Sequence, residues 1–124
     1  MTDVRRGDVV VVSFPFVAGG GVQRKRRPAL VVQSDRYNRH RAAVILAAIT
    51  STRTHRDLPS KVTVGKDTSE GREGGLRLDS VVDCQTIVTV PREEILSRLG
   101  RFPAETMERV DRALEDALGF VRRA

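Results

Sequence analysis

Hydrophobic and polar positions alternate or run together in short bursts through most of the chain. Asp8-Val9-Val10-Val11-Val12-Ser13-Phe14 is β-branched and predicts a first strand. Ala29 to Gln33 predicts a second and Ala43 to Thr50 a third. Ser60-Lys61-Val62-Thr63-Val64 alternates as a half-exposed fourth strand would, and Leu78 to Val90 predicts a long, bent fifth. The period then changes. Met107, Val110, Leu114, Ala117, Leu118 and Val121 recur at helical spacing after Pro103, so a C-terminal helix with one buried face is predicted. Glu105 and Glu108 in its first turns suit the positive end of the helix dipole. Five short strands and one substantial helix in 124 residues predict a single domain over 1–124. The expected architecture is mainly β, a strongly curved sheet or small partly open barrel with the C-terminal helix on one side.

Between the strands the punctuation is polar. Ala18-Gly19-Gly20-Gly21 leads into Gln23-Arg24-Lys25-Arg26-Arg27, which reads as a mobile basic loop, and Pro28 stands at the entrance of the second strand. No Gly-Lys-Ser/Thr follows the glycines, so this is not a nucleotide-binding P-loop. Ser34 to Asn38 reads as a turn or short helix, Gly65 to Gly75 as a long polar connection, and Arg92 to Leu96 as a short turn.

Composition narrows the class. No window approaches the apolar length of a membrane span, and no signal-peptide core follows the N-terminus. One cysteine, Cys84, forms no intrachain disulfide; it fits a reducing cytoplasm and reads as a packing residue. The net charge of +6 is unevenly spread. Residues 22–56 carry nine Lys/Arg and one acid, residues 1–21 carry two of each, and residues 57–124 carry eleven basic and thirteen acidic residues. The basic surplus therefore lies in the stretch around Arg27 and Thr50, the footprint expected of a polyanion-binding face. Arginine outnumbers lysine nineteen to three, and its planar fork matches phosphate oxygens.

The chemistry gathers at two strand ends. Arg27 stands at the mouth of the second strand, and Thr50-Ser51 ends the third. A cation and a hydroxyl pair so placed can floor a phosphate site. Two scattered histidines and a single cysteine, with no tight carboxylate cluster, argue against a metal nuclease, and no cofactor is expected.

Four segments in order resemble the MazF/PemK family of toxin endoribonucleases: Gly7-Asp8-Val9-Val10-Val11-Val12, Arg27-Pro28-Ala29-Leu30-Val31-Val32, Ile49-Thr50-Ser51, and Gly75-Leu76-Arg77-Leu78-Asp79-Ser80-Val81-Val82. The resemblance covers nearly the whole chain. It implies an SH3-like barrel shared with the gyrase-poison toxins, and a homodimer. It implies metal-independent, sequence-specific cleavage of single-stranded RNA to a 2′,3′-cyclic phosphate and a 5′-hydroxyl. It implies an antitoxin partner whose acidic, flexible segment covers the RNA site. By motif, Arg27 and Thr50 match the family's catalytic arginine and threonine. Arg77 and Asp79 match an Arg-x-Asp pair that some members use as acid and base. Ala48 stands where several relatives carry proline.

Cleavage by the 2′-hydroxyl needs a proton acceptor, stabilisation of the phosphorane, and help for the leaving oxygen. A guanidinium is a poor proton donor at neutral pH, so Arg27 is assigned charge stabilisation. Thr50 positions a phosphate oxygen or the 2′-hydroxyl, with Ser51 as helper. Asp79 is the favoured base, with His55 and His40 as rivals. Arg24, Lys25, Arg26 and Arg53 are expected to hold RNA phosphates, His55 to lie on a loop closing over RNA, and Phe16 to stack on a base. Phe14, Phe102 and Phe120 are expected in the core. The gyrase-poison branch relies on a C-terminal tryptophan, and this chain has none. A non-catalytic nucleic-acid-binding barrel remains the alternative.

Overall fold

The computed structural model describes residues 3–40, 42–51 and 57–120, with the backbone alone for 15–18. Six strands form one antiparallel sheet: β1 (Asp8–Ala18), β2 (Gly21–Val31), β3 (Ala43–Ser51), β4 (Lys61–Val64), β5 (Ser80–Pro91) and β6 (Ile95–Arg101). Three helices accompany them, α1 (Asp35–Asn38), α2 (Ser69–Glu73) and α3 (Ala104–Leu118). A turn of 3-10 helix, Arg92–Glu94, joins β5 to β6.

The spatial order is β4-β5-β3-β2-β1-β6. β4 and β6 are therefore edges, and the sheet is not closed into a barrel. β6 is a sixth strand where the sequence predicted only a turn. Its residues Ile-Leu-Ser-Arg-Leu-Gly-Arg lack a clean alternation, and two irregularities interrupt its pairing with β1.

The predicted basic loop is also a strand. Ala18 pairs with Gly21, and Gly19 and Gly20, with φ of +58° and +81°, form a two-residue hairpin turn. Both central residues need positive φ, which glycine adopts without strain. Residues 23–27 consequently pair with β1 all the way from Phe16↔Gln23 to Val12↔Arg27.

Both faces of the sheet are covered. Val9, Leu30, Ala47, Ile49 and Val82 form one core with Phe102, Val110 and Ala113, the last two on α3. Val10, Val12, Ala29, Val31, Val44 and Leu46 form a second on the opposite face with Val90 and Ile95. Strands buried on both sides read as continuous apolar runs, which is why the first three were so plain in the sequence. On α3, Met107, Leu114 and Ala117 pack against the first core as the periodicity predicts, but Leu118 is exposed. Gly119 ends the helix in the left-handed conformation, φ +78°. Phe102 is core as expected and Phe14 packs against the second cluster. Phe120, 65% exposed beyond the helix end, is not core. Val121 lies outside the described residues.

Candidate functional site

The β2–β3 ladder is short, and its end makes the site. Val31 pairs with Leu46, Leu30 with Ala47, and Ala29 with Ala48; there the pairing stops. Val32 N–H donates to Ile45 O at 3.1 Å, so even-numbered residues of β2 turn their amides toward β3. Pro28 is the even residue at the break. It has no N–H to donate, so the ladder cannot continue through it. Two residues past the last pair on each strand stand Arg27 and Thr50, facing one another across the opening.

A cavity of about 550 Å³ occupies that opening. Arg26, Arg27 and Pro28 of β2 and Ile49, Thr50 and Ser51 of β3 form one side. Ser80 of β5 lies beside its ladder partner Ser51, and Gly75, Leu76, Arg77 and Leu78, with Leu99 of β6, complete the wall. Arg27 and Thr50 are half-buried, whereas Arg26, Ser51 and Arg77 are exposed. The wall thus offers three guanidinium groups and three hydroxyls, and no carboxylate or imidazole among the described residues. A smaller cavity of about 190 Å³ lies beside it and shares Arg27, Pro28, Ile49 and Thr50, with Phe14, Ala48 and Thr86 completing its wall. Arg27 and Thr50 therefore border both hollows.

Backbone contact fixes the far wall. A Cβ on Gly75 would collide with the Leu99 carbonyl, and one on Gly100 with the Glu73 carbonyl. Gly75 has φ +71° as well. Glycine at both positions lets the end of α2 lie directly on β6, which carries the 76–78 segment to the cavity. At the base, the Ser80 hydroxyl donates to Leu78 O at 2.7 Å.

The remaining predicted residues fall in different places. The carboxylate Oδ1 of exposed Asp79 accepts the Lys66 N–H at 3.0 Å, and Asp79 is not part of the cavity wall although both of its neighbours are. Arg24 is turned away: it donates to Ser13 Oγ at 2.8 Å and to Ser13 O, and pairs with Glu94 at 2.6 Å. Lys25 is exposed two positions beyond Arg27, on the same face of β2. Phe16 is on β1 opposite Gln23, its side chain not described. Arg53 and His55 lie outside the described residues. His40 is exposed just after α1, before β3 begins, whereas Thr50 lies at the other end of that strand.

Sequence reasoning missed Ser80, Leu99 and Thr86. Leu99 sits on the unforeseen β6. Thr86 reaches the smaller cavity because three extra residues, Cys84 to Gln85 and Thr86 itself, bulge from β5 between the Ala47↔Ile87 and Ala48↔Asp83 pairs. Asp83 braces the bulge by accepting from Gln85 N and Thr86 Oγ1, both at 3.0 Å. No spacing in the sequence announces such an offset. Among the described residues no group of three or more His, Cys, Asp or Glu is placed to hold a metal ion, and no helix is long and apolar enough to cross a membrane.

Comparison with known proteins identifies the family and the fold. The family model of the PemK-like, MazF-like toxins of type II toxin–antitoxin systems matches residues 5–118. Endoribonuclease MazF2 of Mycobacterium bovis is 40% identical over 100 residues, covering 80% of this chain and 83% of that protein. Endoribonuclease EndoA of Bacillus subtilis is 32% identical over 121 residues, covering 95% and 97%. A solved mycobacterial endoribonuclease in complex with its cognate antitoxin superposes with a TM-score of 0.74 at 28% identity, over 97% of this chain and 99% of that one.

Proposed function

The chain belongs to the PemK-like, MazF-like endoribonuclease toxins of type II toxin–antitoxin systems, and we propose that it cuts single-stranded RNA at the Arg27–Thr50 opening without a metal. The observation that carries this reading is the cavity that brings Arg26, Arg27 and Arg77 together with Thr50, Ser51 and Ser80. A cleft of cations and hydroxyls with no acid in its described wall attracts a phosphodiester and disfavours nothing about its charge.

The scissile phosphate sits between Arg27 and Thr50, with adjacent nucleotides in the two hollows on either side. The ribose 2′-oxygen bonds to phosphorus as the bond to the 5′-oxygen breaks. The 2′-hydroxyl proton passes to solvent and the departing 5′-oxygen takes one back. A 2′,3′-cyclic phosphate and a 5′-hydroxyl result. Arg27, half-buried and fixed in the ladder, stabilises the phosphorane charge, where a held donor is worth most. Thr50 aligns the 2′-hydroxyl or a phosphate oxygen, with Ser51 beside it. Arg77 approaches from the opposite wall and stabilises charge on the leaving oxygen. Asp79 acts as a positioning residue: its bond to Lys66 N–H anchors the 76–80 segment that presents Arg77. Leu78 and Leu99, 63% and 38% exposed, offer apolar surface at the rim for bases.

The protein works in the cytoplasm as a homodimer, held in check by an antitoxin whose acidic segment lies over the same cations. A mycobacterial relative solved with its cognate antitoxin supports that pairing.

The test incubates purified protein with a long single-stranded RNA in excess chelator, beside Arg27→Ala. Discrete cuts ending in cyclic phosphate, lost in the variant, are expected. No cleavage by the unaltered protein would sink the nuclease reading for that RNA. Equal cleavage by both would remove Arg27 from the mechanism.

A further inference from the structure

The described basic residues of 22–56 do not form one patch in three dimensions. The arginines divide by their partners. Arg6, Arg24, Arg98, Arg101 and Arg109 are tied to carboxylates on Asp111, Glu94, Asp8 and Glu70. Arg26, Arg27 and Arg77, at the catalytic cavity, pair with no described carboxylate. A second unpaired set stands elsewhere. Arg5 and Arg39 border a separate cavity of about 490 Å³ formed with Asp3, Val4, Asp35 and Asn38, and Arg36 projects from α1 next to it. All three arginines are exposed, and none makes an ion pair with a described residue.

This second set sits at the opposite end of β3 from Thr50. From Ala43 to Thr50 a strand spans about 23 Å, so neither set reaches the other's ligand. Arg5 and Arg39 feel the charge of Asp35 but form no ion pair with it among the described contacts. Asp35 Oδ1 is occupied by Arg6 N–H at 2.7 Å and by Asn38 Nδ2 at 3.0 Å. Asp3 is the other carboxylate of that cavity and is exposed. Tyr37, 46% exposed on α1, adds an aromatic face among Arg36, Arg39 and His40.

The α1 platform is also rigid, which a docking surface for a flexible polymer needs. Buried Asn38 donates to Gln33 O at 3.0 Å and accepts from Gln33 Nε2 at 2.9 Å. Buried Arg92 donates to Asn38 O from below. The Ser34 side chain caps the helix by accepting from Arg36 N.

We infer that Arg5, Arg36, Arg39 and Tyr37 form a second RNA contact, remote from the cut, that holds the phosphates of a flanking single-stranded segment. The inference rests on the nuclease reading for its choice of polyanion. Spaced cations with one aromatic suit a single strand, whose backbone is held by charge and whose bases stack without sequence choice. The expected consequence is that affinity, but not the chemistry at the cavity, depends on RNA length.

The experiment measures binding by anisotropy to two RNAs centred on a mapped cut, one of about 6 and one of about 30 nucleotides. Each carries a 2′-deoxyribose at the cut so that it stays intact. Unaltered protein is compared with the double variant Arg36→Gln, Arg39→Gln and with Arg112→Gln, which removes one exposed charge from α3, as a control for loss of surface charge away from the patch. For the long RNA the double variant should bind about tenfold more weakly at low salt, with a salt slope smaller by about 1.4 for two lost phosphate contacts. Binding of the short RNA, and its cleavage rate with the ribose restored, should not change. Equal weakening on both RNAs, no weakening on the long one, or the same loss in Arg112→Gln would overturn the second contact. Cleavage decides the nuclease reading separately: a protein that binds with this length dependence yet never cuts keeps the contact and loses the mechanism. One that binds neither RNA loses both.

Discussion

Arg27 and Thr50 face each other two residues beyond the last paired residues of their strands, Ala29 and Ala48. They are juxtaposed because the ladder fails at Pro28, and the same failure opens the cavity that they border. Arg27→Ala should therefore lower kcat by on the order of 100-fold or more while leaving the fold intact, since the side chain is only half-buried. Arg27→Lys should recover little, because an ammonium lacks the planar fork. Thr50→Ala should cost less than Arg27→Ala, and the double variant less than the sum of the two, as expected of groups serving one phosphate. Single-turnover cleavage of a mapped RNA measures all three. Full additivity would place Arg27 and Thr50 on different groups.

The far wall is set by backbone contact rather than by side chains. Gly75→Ala puts a Cβ against the Leu99 carbonyl at a position with φ +71°. It should destabilise the protein by about 1–3 kcal/mol through backbone strain alone. The 76–78 segment should move with it, so cleavage should fall even at temperatures where the variant is folded. Gly19→Ala is the comparison: its φ is also positive, +58°, but nothing lies within 4 Å of its Cβ. It should lose stability without a matching loss of activity per folded molecule. Thermal denaturation and cleavage, read together, separate the two. Equal activity loss in both would deny Gly75 its role in the wall.

The two-sided core explains what could be read from the chain beforehand. Most of Val9 to Val12, all of Ala29 to Val31 and most of Val44 to Ile49 are buried on both faces, Ile45 being exposed, so each announced a strand by composition alone. Arg27, Thr50, Ser51 and Arg77 were legible because each lies next to such a run or within a motif. What stayed hidden depended on register. The Gly19-Gly20 turn makes residues 23–27 a strand, although their side chains are polar and alternate with nothing. Arg24 was grouped with its neighbours by charge, but farther along the hairpin than Arg26 it is held by Ser13 and Glu94. Leu99 and Thr86 reach their cavities only through an irregular edge strand and a bulge. Division of the arginines into two sets needed the fold, because residues 27 and 36 are close in sequence while Arg27 stands at one end of the β2–β3 ladder and α1 beyond the other.

Asp79 separates two roles by one substitution. Asp79→Asn keeps an oxygen that can accept the Lys66 N–H, and Asp79→Ala does not. With Asp79 as an anchor of the Arg77 segment, the asparagine variant should cut within a few-fold of normal while the alanine variant loses more. A matching pH–rate profile for the asparagine variant should accompany this. Loss of on the order of 100-fold in Asp79→Asn, with a changed acid limb, would instead make the carboxylate the proton acceptor.

Cys84 should behave as an inert packing residue. Burial, and after it the charge of Asp83, pushes its thiol up to about 11. At pH 8 only about one molecule in a thousand would carry the reactive thiolate. Alkylation of the native protein should therefore be slow, and should accelerate in denaturant to the rate of an exposed cysteine. Rapid modification at pH 8 with retained structure would show the site to be open.

Asp35 gives the protein an acid limit. Burial pushes its carboxyl up, but the Arg6 N–H, the Asn38 side chain and the charges of Arg39 and Arg5 outweigh this and hold it below the usual carboxylate range. The folded state thus favours the ionised form more than the unfolded chain does. Its contribution is fully present above the ordinary aspartate value of about 3.9 and is lost as pH falls through the lowered one. Asp35→Asn should remove that contribution at neutral pH and flatten the fall in stability on acidification. Denaturant titrations of both proteins from neutral to strongly acidic pH measure the difference, which should shrink steadily below the ordinary value. A difference that stays constant, or grows as pH falls, would show that the carboxylate is not held by these donors in the folded protein.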